Sequence, residues 1–100
     1  MSTMTAPQKY RQRYLAFKIG KNLGKRDLID TLQNICKENE YKRRPRVLVY
    51  NSKISEGLIR CRNDEVKILE KEIRDRLDQN FEVFGVSGTI KKARQKFLSF

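Results

Sequence analysis

The spacing of hydrophobic positions switches along the chain between a period of two and a period near 3.6, and each switch predicts an element. Leu15, Phe17 and Ile19 alternate with Tyr14, Ala16 and Lys18, which predicts a half-buried strand over 13–19. Gly20 to Gly24 reads as a turn. From Leu28, apolar residues recur at i+1, i+4, i+7 and i+8 (Ile29, Leu32, Ile35, Cys36), the stripe of a helix over 25–39. Asp27 and Asp30 suit the positive end of its dipole, and Asn39 is a stop signal. Residues 40–46 form a basic loop, closed by Pro45. Val47–Tyr50 and Gly57–Arg62 are short β-forming runs joined by a polar connection, a hairpin.

Asn63 then reads as the cap of a long helix, with Asp64 and Glu65 in its first turn. Val66, Leu69, Ile73 and Leu77 make its buried stripe, and Glu70–Arg74 and Glu72–Arg76 stand at ion-pair spacing. Asn80 ends it, and Phe81–Val86 is a fourth strand. Ser87-Gly88-Thr89 opens a last helix over 89–99, with Ile90, Ala93, Phe97 and Leu98 on one face. The order β-α-β-β-α-β-α predicts an α+β, ferredoxin-like (RRM-like) domain with a four-stranded antiparallel sheet and an added C-terminal helix. Right-handed crossovers put the first two helices on one face of the sheet. The other face is left for the added helix, a partner or RNA. Residues 1–8 read as a flexible tail, and 9–100 as the single domain that this length allows.

Charge changes the picture most. The 100 residues carry 23 Lys and Arg against 12 Asp and Glu, a formal net charge of +11. Such self-repulsion is unfavourable unless a polyanion neutralises it. No apolar run approaches membrane-spanning length and no targeting signal is apparent, so nucleic acid leads over membrane, in a cytoplasmic setting. Histidine is absent, which excludes a His base or His ligand. Cys36 and Cys61 are too few for zinc and read as buried thiols.

The candidate RNA-binding residues follow from where cations fall. Lys18, Arg60 and Arg62 are placed on the outward face of the central strands, which carries no aromatic on the third strand and so suits phosphates better than bases. Lys9, Arg11 and Arg13 precede the first strand; Lys42, Arg43, Arg44 and Arg46 precede the second. Ser87 and Thr89 flank Gly88 at a helix start, which is either a phosphate cradle or a plain N-cap. Lys91, Lys92, Arg94 and Lys96 follow on the last helix. Tyr14, Leu58 and Phe97 are candidates for an apolar protein interface. The carboxylates stand on helices among cations and read as surface ion pairs, not as the converging set a metal-dependent nuclease needs.

The strands Arg13-Tyr14-Leu15-Ala16-Phe17 and Gly57-Leu58-Ile59-Arg60-Cys61-Arg62, and above all the closing run from Val86-Ser87-Gly88-Thr89-Ile90-Lys91-Lys92 to Lys96-Phe97-Leu98, resemble archaeal ribonuclease P protein component 2. Its eukaryotic relative is a subunit of nuclear ribonuclease P and of the mitochondrial-RNA-processing ribonuclease. The resemblance implies a non-catalytic subunit of the particle that removes the 5′ leader of precursor tRNA. The RNA subunit would perform the hydrolysis with magnesium, and the protein would bind no cofactor of its own. The implied partners are the catalytic domain of ribonuclease P RNA and protein component 3, in two copies each with this chain. The implied fold agrees with the one read from periodicity. A generic ribosomal or architectural RNA-binding module is the alternative reading, and a stand-alone nuclease the more distant one.

Overall fold

The structure, a computed structural model, describes residues 11–41 and 44–100. The expected tail over 1–8, and Lys9, Lys42 and Arg43 of the basic clusters, lie outside the described residues. The elements are β1 (Gln12–Ile19), α1 (Lys25–Glu38), β2 (Arg46–Asn51), β3 (Glu56–Arg62), α2 (Val66–Arg76), β4 (Phe81–Ser87) and α3 (Ile90–Phe97). The strands form one antiparallel sheet in the order β2-β3-β1-β4. This is the ferredoxin-like arrangement with a C-terminal helix, as the periodicity predicts.

Two hydrophobic layers sandwich the sheet. On one face Leu15, Phe17, Ile19, Ile59 and Phe81 meet Leu28, Leu32 and Ile35 of α1 and Leu69 and Ile73 of α2. Phe17 is the centre of this layer, with its ring 5.3 Å from that of Phe81 and stacked at 6.0 Å on that of Tyr50. Tyr50 keeps its hydroxyl satisfied by donating to the Leu23 carbonyl at 2.7 Å. Asn39 ends α1 as expected, with its amide donating to the Ile35 carbonyl at 3.0 Å.

The second face is closed by α3. Ala16, Leu58 and Ala93 are fully buried there, walled by Tyr14, Leu48, Val49, Phe84, Phe97 and Leu98. Two β-bulges build this layer. Ala16 pairs with Gly85 but Phe17 with Val83, so Phe84 is the extra residue in β4. Val47 pairs with Ile59 but Val49 with Leu58, so Leu48 is the extra residue in β2. Each bulge breaks strict alternation and turns an additional apolar side chain toward α3. The bulge also sets Gly85 under the Phe97 ring, where any Cβ would overlap it.

Two boundaries differ from expectation. Asn63 does not cap α2; residues Asn63–Glu65 form a single 3-10 turn and the α-helix starts at Val66. Asp64 is drawn instead to Arg62, which it grips at 3.0 and 2.7 Å. At its far end α2 stops at Arg76, before Asn80, because Asp78 and Gln79 adopt left-handed backbone (φ 54° and 68°). The pairs Glu70–Arg74 (2.7 Å) and Glu72–Arg76 (3.7 Å) form as their spacing predicts.

Candidate nucleic-acid interface

Three features hold α3 in place and so decide which way its cations point. Thr89 caps it: the hydroxyl accepts from the Lys92 amide at 3.2 Å, while Ser87 Oγ accepts from the Thr89 amide at 3.4 Å. The plain N-cap reading of the Ser-Gly-Thr corner is therefore the one the local geometry satisfies. Ala93 and Phe97 seat the middle and end of the helix on the sheet. Beyond it, Ser99 donates through Oγ (2.9 Å) and its amide (3.4 Å) to the buried Glu56 carboxylate at the start of β3. Ile90, expected on the apolar stripe, stays 44% exposed, because the first turn stands at edge strand β4 rather than over the centre of the sheet.

With that face committed, Lys91, Lys92, Arg94 and Lys96 are all exposed. The ion pairs among the described residues involve only Arg62, Lys71, Arg74 and Arg76 as cations, so carboxylates neutralise α2 and its surroundings and leave α3 bare. No acidic residue lies on α3 itself. Lys91 and Lys92 stand in its first turn, at the positive end of the dipole, a placement that costs each about 0.3–1 kcal/mol. Arg13 lies beside the corner, its guanidinium within 3.5 Å of where a Gly88 side chain would start, and Arg11 is exposed just before β1. The structure thus gathers Arg11, Arg13, Ser87, Thr89, Lys91 and Lys92 at one end of the sheet.

The remaining candidates separate. Lys18 is exposed at the opposite end, pairing with Glu56, in a shallow depression with Lys21 and Lys53. Arg62 pairs with Gln12, six residues along β1 from Lys18, or about 20 Å at strand rise. The single outward surface expected for Lys18, Arg60 and Arg62 is therefore not formed, because α3 covers its centre. Arg62 is 7% exposed and its guanidinium is engaged by Asp64, which removes it from the expected phosphate ligands. Arg44, Arg46 and Arg60 line a third region, a groove between α1 and β2.

The expected apolar interface is also corrected. Leu58 is fully buried, and Tyr14 and Phe97 pack around it against Ala93. These side chains dock α3 rather than another protein. The signal was present in the sequence: Ala16 and Leu58 fall on the outward side of central strands, where a wet sheet face would carry polar residues.

Titration follows burial. Desolvation pushes the Cys61 thiol up to about 12, helped by the nearby Glu65 and Asp64 charges. It raises the Tyr41 phenol to about 12 in the same way. Cys36 is raised mainly by burial, and the Arg44 charge partly offsets this. The Glu38 carboxylate that accepts from Arg76 holds that guanidinium above its ordinary value. These are inert thiols and structural ion pairs, as their surroundings require. Among the described residues no helix is long and apolar enough to cross a membrane.

No protein-family model matches the chain, and no curated protein matches it at a significant level.

Proposed function

We propose that the chain is a non-catalytic protein subunit of ribonuclease P, binding the catalytic domain of the RNA subunit together with protein component 3. The observation that carries the RNA-binding part is α3. Its apolar side is buried on the sheet, and its other side presents four exposed cations unrelieved by any carboxylate among the described residues, two of them set against the helix dipole. An arrangement that costs the isolated protein stability is explained if phosphates complete it. The assignment to ribonuclease P in particular is supported by the resemblance of the closing run from Val86 to Leu98.

The mechanism is electrostatic. A folded RNA forces phosphates together, and a fixed row of ammonium and guanidinium groups offsets that repulsion. The protein favours the compact RNA and lowers its magnesium requirement, while hydrolysis stays with the RNA. Two copies each of this chain and component 3 complete the particle acting on precursor tRNA. Reconstitution tests this: ribonuclease P RNA and component 3 are titrated with magnesium, with and without the chain. The expected result is a lower magnesium midpoint and faster leader removal with the chain, and no cleavage by the chain alone. An unchanged midpoint and rate, or co-purification with a ribosomal particle instead, contradicts the proposal.

A further inference from the structure

The groove between α1 and β2 is a second basic feature, about 800 Å³ in volume and lined by no residue of α3. One wall is a single face of α1, from Lys25 through Gln33 to Lys37; the other is Arg46 and Val47 of edge strand β2, with Arg44 and Pro45 closing one end. Five basic residues line it (Lys25, Lys37, Arg44, Arg46 and Arg60), the last two from paired strand positions on the Tyr14 side of the sheet, and no carboxylate does. None of the five takes part in an ion pair among the described residues. Its floor is apolar, from Ile29, Leu32 and Val47, and contains no aromatic ring.

We infer that this groove holds a single-stranded segment of RNA, gripped by its phosphates. The site rests on the RNA-binding reading above but is separate from the α3 surface. Concavity selects the strand: a duplex presents a broad convex backbone that suits the exposed α3, whereas a cleft walled by one helix and one strand admits a single chain. The α1 wall from Lys25 to Lys37 spans twelve residue steps, about 18 Å at helical rise. The rim offers Arg and Lys to phosphates, and the apolar floor offers sugars and base faces a surface without stacking. The grip is therefore tolerant of sequence.

A labelled oligouridine of about a dozen nucleotides is the probe, its binding to the full chain followed by anisotropy across a salt series. The variant Lys25→Ala/Lys37→Ala/Arg44→Ala should lose about tenfold or more in affinity, with the salt slope flattened by about 2, at roughly 0.7 per single-strand phosphate contact. Lys21→Ala/Lys53→Ala/Lys67→Ala removes the same charge from exposed positions outside both basic surfaces and should change oligouridine binding by about twofold or less. Cys36 lines the groove and is half-buried, so bound oligouridine should slow its alkylation, in the native chain and in the control variant alike; buried Cys61 is the internal control. Equal losses in both variants, an unchanged Cys36 rate at saturation, or displacement by polyglutamate of equal charge would each overturn the inference. If the chain binds ribonuclease P RNA but not oligouridine, the groove site falls and the proposed function stands. If oligouridine seats in the groove while ribonuclease P RNA binds no better than unrelated structured RNA, the ribonuclease P assignment falls and the groove site stands.

Discussion

At the residue scale the molecule turns on Gly85. The Phe97 ring lies where a Gly85 side chain would stand, so the close approach of α3 to the sheet depends on that missing Cβ. Gly85→Ala should destabilise the chain by about 1–3 kcal/mol in denaturant unfolding, the usual cost of overpacking. In a Phe97→Ala background the same change should cost much less, since the overlapping partner is gone. Cys61 gives a pH prediction. Its thiol ionises near 9.0 when the chain is unfolded and at about 12 when folded, so its contribution is whole below pH 9 and declines as pH rises toward 12. Stability should fall by roughly 1 kcal/mol per pH unit between pH 9.5 and 10.5 from this group. Unfolding titrations of Cys61→Ala should show a correspondingly shallower alkaline decline.

At the scale of the element, α3 was half legible. Its start, its N-cap and its basic surface follow from Ser87-Gly88-Thr89 and the lysines, because capping and charge are local chemistry. Its destination is not local. The β-bulges at Phe84 and Leu48 shift register by one residue and rotate Gly85 and Leu48 onto its face, and no single-strand alternation announces that. The same limit explains Arg62: period two sets it on the outward side of β3, but its capture by Asp64 two residues on depends on how the chain turns after β3. Lys25 and Lys37 fall outside the buried stripe of α1, although their spacing puts them on one helical face with Ile29 and Gln33. A variant separates stability from function within α3. Lys91→Glu/Lys92→Glu places anions at the positive end of the helix dipole and lowers the net charge, so the thermal midpoint should rise. RNA affinity should drop by about tenfold or more in the same protein, measured by filter binding. A fall in both quantities would mean these lysines serve the fold.

At the scale of the whole molecule, charge is divided by face. Carboxylates accompany α2, where Glu70, Glu72 and Asp75 answer Arg74, Arg76 and Lys71. The opposite layer and the α1–β2 groove hold cations without such answers. The fold itself was readable from periodicity because each element buries one clear stripe in a shared core. What periodicity cannot register is how a sheet with two covered faces distributes its remaining surface. A net charge of +11 on 100 residues also predicts that added salt stabilises the free protein, because screening relieves repulsion. The thermal midpoint should rise from low to moderate sodium chloride in scanning calorimetry, and saturating RNA should remove most of that dependence.

The central claim is that the outer side of α3 binds RNA through phosphates. Its most direct test is the affinity of the full chain for ribonuclease P RNA across a salt series, native against Lys91→Ala/Lys92→Ala/Arg94→Ala. Binding should weaken and the salt slope flatten by about 2 or more, at 0.7–0.9 per lost phosphate contact. An unchanged affinity with an unchanged slope would contradict it and move the RNA site off α3.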